Sequence, residues 1–192
     1  LALAVVLSVG AGLLLRSFAT VMTIDPGFRP DHLLTLQMSI PMRLTTPDAR
    51  RAYYAEWFER LEAIPGVVAV GGTTRIPLGS TSVTTSVQVQ GRDVPPSDLP
   101  EAEFRRAMHD YFEAMGIPIR RGRGFTAEDG PNAPPVVIVN EAAMRRIFGN
   151  EDPSGQQVRT GPNPSGAWST VVGVIGDIRH AGLETPPSPE LY

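Results

Sequence analysis

The opening segment constrains the fold of this chain most, because residues 1–15 carry no charged side chain before Arg16. As a helix these residues rise roughly 22 Å, which is short of the roughly 30 Å hydrocarbon core of a bilayer. At this length three interpretations are open: the apolar part of a secretion signal, a core helix of a globular domain, and the outer half of a transmembrane helix.

The surroundings of the segment favour a membrane helix. No small-residue cleavage site of a secretion signal follows in "RSFATVMTIDPGF". Only Ser8 interrupts the apolar surface, whereas a core helix normally shows a polar face. Apolar positions continue at helical spacing to Ile24, and Asp25-Pro26-Gly27 then ends the helix. We therefore expect residues 1–24 to be a truncated transmembrane helix with a short stalk, with residues 1–15 in the lipid bilayer and Arg16 at its edge.

Composition excludes several kinds of chemistry. The chain has no cysteine, which excludes disulfides, thiol nucleophiles and Cys-ligated zinc or iron–sulfur sites. All 17 basic residues are arginines, so a Walker A lysine, a Schiff base and a Ser–Lys dyad are also excluded. The formal net charge of -3 argues against a general nucleic-acid binder.

The chain after the stalk begins with a pattern typical of a β-α-β unit over residues 33–78. Residues 33–40, "LLTLQMSI", alternate apolar and polar side chains, as in a half-buried strand. Thr46 is a suitable N-cap for a helix that ends at Pro65-Gly66, and "VVAVGGTTRIPL" (67–78) predicts a second strand.

The remaining residues predict short strands and short helices in mixed order. Asn140 is expected to cap the helix at 141–148, with Gly149 as its C′ residue. A second helix is expected at His109–Met115. Strands are expected at 84–91, 102–108, 117–123, 136–140 and 168–180, with one more after "NEDPSGQQV". This pattern predicts an α+β domain with mixed sheets and short helices.

Histidine and aspartate residues give no recognisable catalytic or metal motif. His32, His109 and His180 are scattered and do not have the spacing of zinc ligands on one element. Asp177 and His180 form a D-x-x-H pair, but no G-x-S-x-G nucleophile is present to work with them. A strand end that enters a solvated loop explains this pair better.

Other short motifs also have simpler structural explanations. "RRGRGF" (120–125) has guanidinium groups that suit phosphate, yet a strand end with solvated arginines explains it as well. "VVGVIGD" (171–177) lacks the G-x-G-x-x-G of a dinucleotide site. The acidic doublet Glu128-Asp129 is typical of a solvated loop. The aromatic group Tyr53, Tyr54, Trp57 and Phe58 is typical of one face of an amphipathic helix. We predict no catalytic, cofactor-binding or metal-binding residue, and no enzymatic activity.

The order of these segments resembles the permeases of the MacB/FtsX superfamily of ABC transporters. "LSVGAGLLLRSF…IDPGFRPDHLLTLQMSIP" is similar to their first transmembrane helix and the strand after it. "DYFEAMGIPIRRGRGFTAED…PPVVIVNEAAMRRIFGNEDPSGQQV" and "WSTVVGVIGDIRHAGLETPPSPELY" resemble the MacB-like periplasmic core domain, closest to the acidobacterial-type permeases. The resemblance covers essentially the whole chain.

This resemblance implies a location, partners and a mode of action. Residues 25–192 would form a two-lobed periplasmic core domain, with lobes at about 25–105 and 106–192, at the cell inner membrane. The ATPase would be a separate subunit or domain, and the permease would act as a homodimer or pseudo-dimer. A periplasmic adaptor is a further candidate partner. The domain would pass ATPase-driven motion to the periplasm for export; the substrate is not implied.

Two other functions agree with the same composition. A membrane-anchored extracytoplasmic ligand-binding or sensor domain would also show an apolar helix before a domain without a catalytic motif. A secreted hydrolase would need a nucleophile–base pair, which only the three-dimensional arrangement of Ser and His residues could reveal.

Overall fold

The computed structural model describes residues 2–79, 82–149, 151–161 and 166–192. The helices are α1 (Ala2–Met22), α2 (Pro47–Glu62), α3 (Tyr111–Ala114) and α4 (Glu141–Phe148), with a 3-10 turn at Pro96–Asp98. The strands are β1 (Gly71–Thr73), β2 (Thr84–Val89), β3 (Glu101–Phe104), β4 (Ala107–His109), β5 (Ile119–Gly122), β6 (Val136–Asn140), β7 (Gln157–Thr160), β8 (Ser169–Ile175) and β9 (Glu190–Leu191). This mixture of elements confirms the expected α+β class.

Seven strands form one sheet in the order β5-β8-β6-β9-β3-β2-β7, and β7 also pairs with β8. The additional pairing closes six strands into a ring, from β8 through β6, β9, β3 and β2 to β7, with β5 attached to β8. Strands β6 and β8 run parallel, whereas β7 runs antiparallel to both β2 and β8. Strands β1 and β4 form a separate antiparallel pair. Closing the ring pairs strands that would otherwise lie at the edges of an open sheet.

Helix α4 packs on the ring through one apolar face. Its inward side chains are buried together with side chains of β2, β6, β7, β8 and β9. Strand β6 is buried on both faces, since Val137 and Val139 contact the α4 cluster and Ile138 belongs to a second cluster around α3. This explains why β6 is a continuous apolar run rather than an alternating one. The buried side chains of α4 are Ala142, Ala143, Met144, Ile147 and Phe148.

The two ends of α4 confirm the expected caps. The Asn140 side chain accepts a hydrogen bond from the Ala143 N–H at 2.8 Å, and Gly149 adopts the left-handed conformation with φ of 65°. The same Asn140 oxygen also accepts from the Glu190 N–H at 2.9 Å, while its amide group donates to the Ser188 carbonyl at 2.8 Å. Asn140 therefore connects the start of α4 to the last strand.

A buried ion pair ties the end of β3 to β9. The Arg105 Nε donates to the Glu190 carboxylate at 3.2 Å, and the Arg105 guanidinium also contacts the Glu103 carboxylate. The Tyr192 hydroxyl donates to Glu190 at 2.7 Å and lies 3.2 Å from the His180 ring nitrogen Nε2. Burial raises the pKa of Tyr192, so its hydroxyl stays protonated and continues to donate.

The predicted β-α-β unit over residues 33–78 is not formed. Residues 33–40 carry no strand, and only Gly71–Thr73 is a strand within 67–78. The alternating pattern at 33–40 predicted one buried face, but Leu34 is 87% exposed and Leu36 is 54% exposed. A strand needs a neighbouring strand for its backbone hydrogen bonds, and no described residue pairs with this segment.

Several predicted boundaries also differ. The segment 102–108 divides into β3 and β4, and His109 belongs to β4, so that α3 begins only at Tyr111. Strand β9 was not predicted. Strands from both sides of the expected division between residues 105 and 106 join the seven-stranded sheet. The two-lobe division stays a prediction.

Candidate functional site: the junction between the apolar helix and the sheet

Helix α1 is long and apolar enough to cross a membrane. Its 21 residues rise about 31 Å, of which residues 2–15, before Arg16, account for about 21 Å. No described residue of α1 is buried, so the interpretation of this segment as a core helix is wrong. The helix continues through Arg16 to Met22, and the stalk that we predicted is therefore partly helical.

The chain turns sharply after α1 and then contacts the sheet. The Asp25 carboxylate accepts from the Gly27 N–H at 2.8 Å and stabilises the turn. Gly27 has φ of +83° and lies so close to Asp177 that a Cβ atom would be 2.0 Å from the Asp177 carbonyl oxygen. The Arg179 N–H donates to the Pro26 carbonyl at 2.9 Å. Only glycine fits at position 27, because its φ is positive and because a Cβ atom there would clash with the Asp177 carbonyl.

A second contact follows immediately along the chain. The Arg29 N–H donates to the Met115 carbonyl at 2.8 Å, just after α3. Phe28 and Leu33 pack against the buried cluster around α3 that also contains Ile178. We call residues 25–33 the anchor segment. It is fixed by backbone hydrogen bonds at two places and by apolar contacts at the same surface.

Asp177 connects the anchor segment to α4. Its carboxylate accepts from the Ala142 N–H at 2.7 Å and from the Arg145 guanidinium at 2.6 Å. A negative charge at a helix N-terminus is favourable, because the exposed N–H groups there carry partial positive charge. The residue that faces Gly27 is thus also a cap of α4.

The anchor segment joins α1 to the side of the molecule built from α3, α4 and β8. We had expected the stalk to lead into a β-α-β lobe at residues 33–78. That expectation is wrong, because the lobe is not formed and residues 26–29 bond to Met115 and Arg179. The backbone contacts of the anchor segment are thus with the residues that directly follow α3 and β8.

The histidines considered as zinc ligands lie in different surroundings. His180 is buried beside Tyr192, whereas His109 stacks on Phe58 with ring centroids 4.8 Å apart. Among the described residues, the one group of potential metal ligands is Glu62, His109 and Asp110, whose ligand atoms lie within 4.8 Å of one another. The three side chains are solvent-exposed, and such groups are common without an ion.

The other residues that the sequence suggested as possible site residues make contacts within the fold. Asp177 caps α4 while His180 contacts Tyr192, so the two residues of the D-x-x-H pair serve separate contacts. Arg123 donates to Asp129 through two bonds of 2.6 and 2.8 Å, and these bonds lower the pKa of Asp129 to about 2. The α2 aromatics are half-buried; Tyr53 contacts Tyr54 and Trp57 edge-on, whereas Phe58 stacks on His109. The absence of catalytic, cofactor and metal residues stays a prediction.

Sequence reasoning recognised Asp25-Pro26-Gly27 only as the end of a helix. The Asp-Pro-Gly order was a sufficient signal for the turn. No local signal indicated that Gly27 faces Asp177, since the two residues are far apart in the chain. The role of Asp177 as a helix cap was missed for the same reason.

The structure combines an α+β domain with an unburied apolar helix that is long enough to cross a membrane. In a comparison with known protein families, residues 1–187 match the model of the MacB-like periplasmic core domain. The chain belongs to this family. It is an extracytoplasmic domain of a MacB-like ABC transporter permease.

One relative is itself a MacB protein. The macrolide export ATP-binding/permease protein MacB of Aggregatibacter actinomycetemcomitans is 33% identical over 73 residues, which are 38% of this chain and 11% of that protein. The chain thus spans a small part of this relative.

Two solved structures that match part of the chain are a periplasmic and an extracellular region of transporters. The periplasmic region of MacB from Actinobacillus actinomycetemcomitans has a TM-score of 0.47 and 22% identity, over 77% of this chain and 60% of that one. The extracellular domain of the noncanonic ABC-type transporter YknZ from Gram-positive bacteria has a TM-score of 0.46 and 18% identity, over 71% of this chain and 59% of that one.

Proposed function

We propose that this domain couples ATPase-driven motion in the membrane to export, or to other periplasmic work on a substrate, in the inner membrane. Family membership supports a permease rather than the sensor domain that composition also allowed. The single observation that carries the proposal is the anchor segment, since residues 26–29 form backbone hydrogen bonds with Met115, which follows α3, and with Arg179, which lies after β8. A displacement of the membrane helix therefore has a direct backbone connection to the folded domain.

The proposal includes partners outside this chain. An ABC ATPase subunit or domain would hydrolyse ATP, and two permeases would work as a homodimer or pseudo-dimer with a periplasmic adaptor as a further candidate. One relative is named as a macrolide exporter, and the permease that contains this chain would act on a substrate of its own.

An insertion in α1 tests this coupling. Two glycines inserted after Thr20 should weaken the helix by about 1 kcal/mol per glycine, since glycine is a poor helix former. We expect the insertion to cut transport by the complete permease with its ATPase, while the melting temperature of the domain is unchanged. The direct measurement is the distance between spin labels at Ser97→Cys in the two protomers, in ADP and in ATP with vanadate.

The matched control is an insertion of two alanines at the same place. Both insertions rotate the downstream chain by about 200°, but alanine keeps the helix stiff. A stiff connection predicts that the nucleotide-dependent change in distance is lost with glycine and retained with alanine. An equal change in the wild type and in the glycine variant would contradict the proposal, as would the absence of any change in the wild type.

A further inference from the structure

The strand ring is closed by α4 at one end and open at the other. Helix α4 follows the last residue of β6 and fills that end with apolar side chains. The opposite end holds the start of β6 and of β8 and the end of β3 and of β7, as the strand directions require. Residues from all four places line one cleft of about 510 Å³. The cleft is therefore the mouth of the ring, a common location for ligand sites in barrels.

The inner surface of this mouth is mainly apolar. Val137 and Val158, both almost fully buried, form its floor, and the rings of Phe104, Phe125 and Tyr192 form part of its wall. The volume lies within the range of about 300–1,000 Å³ that is usual for small-molecule sites. Such a lining favours the aliphatic or aromatic body of a ligand, since apolar surface is removed from water on both sides.

The rim of the mouth is positively charged. Arg50 and Arg106 line it, both are exposed, and neither forms an ion pair with a carboxylate among the described residues. The Arg50 Nε donates to the Leu44 carbonyl at 2.9 Å, which holds its guanidinium in place. Arg105 differs, because the carboxylates of Glu103 and Glu190 neutralise it.

No acidic residue is among the described residues that line the mouth. The hydroxyl groups of Thr74, Thr160 and Ser169 add further hydrogen-bond partners around the opening. The site thus combines an apolar interior with two uncompensated guanidinium groups at its entrance. Guanidinium groups bind carboxylate, sulfonate and phosphate oxygens through charge-assisted hydrogen bonds.

We propose that the mouth of the strand ring binds small amphipathic anions, with the apolar body inside the ring and the anionic group at Arg50 and Arg106. The assignment rests on the lining and the charge of the cleft. It concerns binding only and is independent of the ATP-driven coupling proposed above.

Titration of 1-naphthalenesulfonate into the chain in nanodiscs of zwitterionic lipid tests the assignment. Methionine methyl groups labelled with ¹³C provide the readout by NMR. Met108 lines the mouth, Met144 lies in the α4 cluster and Met22 is at the exposed end of α1. We expect a saturable shift of Met108 with little change at Met144, while Met22 reports any partition of the probe into lipid.

Two comparisons make the result specific for an anion at the rim. Naphthalene-1-sulfonamide, which has the same ring without the charge, should bind about tenfold more weakly, and Arg106→Gln should weaken sulfonate binding by a similar factor. Arg121→Gln is the matched control, because Arg121 is exposed on β5 and lies outside the mouth. The Met144 resonance reports whether each variant is folded.

Three outcomes would overturn the assignment. The first is an absence of saturable shifts at Met108 in a folded protein. The second is equal affinity for the sulfonamide and the sulfonate, which would remove the role of charge. The third is equal weakening by Arg106→Gln and Arg121→Gln, which would show a general electrostatic effect of the surface.

Discussion

Replacing Gly27 with valine should release the anchor segment from the sheet while the strand ring stays folded. The new Cβ would lie 2.0 Å from the Asp177 carbonyl oxygen, and valine is strained at φ of +83°. We expect the docked state of the segment to lose about 3 kcal/mol. Hydrogen exchange measures this loss directly, because the amides of Arg29 and Arg179 donate to carbonyls across the junction.

The expected result is an exchange rate about a hundredfold higher at Arg29 and Arg179, since about 1.4 kcal/mol corresponds to a factor of ten. The amide of Tyr192, which bonds to Ile138 in the ring, should remain protected. Gly66→Val is the matched control, because Gly66 has a similar φ of +90° but a Cβ atom there would meet no heavy atom within 4 Å. Unchanged exchange in the Gly27 variant, or an equal increase in the control, would contradict the role of the close approach.

Replacing Asn140 with alanine should strongly destabilise the fold. Asn140 is fully buried and makes three hydrogen bonds, to Ala143, Glu190 and Ser188. The substitution leaves two buried N–H groups without their partner, at about 1–3 kcal/mol each, and also removes the hydrogen bond to the partly buried Ser188 carbonyl. We expect the free energy of unfolding to fall by about 3–5 kcal/mol.

Thermal unfolding followed by circular dichroism measures the effect. For a domain of this size a loss of 3–5 kcal/mol lowers the melting temperature by about 10–15 °C. Asn132→Ala makes the same chemical change at an exposed loop position and should alter the melting temperature by no more than about 1–2 °C. Equal effects of the two substitutions would show that Asn140 does not connect α4 to the last strand.

Local signals in the sequence were sufficient for the best-predicted elements. Helix α4 has an Asn at its N-cap, a Gly at C′ and one apolar face, and each of these signals acts within a few residues. The apolar run of β6 was equally clear, since few other structures accept four consecutive β-branched residues. The structure confirms both elements and both caps.

The missed elements depend on partners that are distant in the chain. Residues 33–40 alternate apolar and polar side chains as a strand does, but this alternation does not show whether a neighbouring strand is present to pair with them. The two-residue strand β9 pairs with β3 and β6, and Asn140 and Arg105 both bond to its Glu190. The candidate site could not be predicted for the same reason, since Gly27 and Asp177 are distant in the sequence and are close only in the folded chain.

The central claim is that residues 25–192 fold outside the cytoplasm behind a membrane helix. These 192 residues contain no cysteine, so Ser97→Cys introduces one label site into this segment, and the permease without the substitution is the labelling control. Ser97 is exposed in the 3-10 turn at Pro96–Asp98. Spheroplasts that express the complete permease should react with a membrane-impermeant maleimide at this position without permeabilisation. Labelling only after the membrane is permeabilised would place the domain in the cytoplasm and contradict the account.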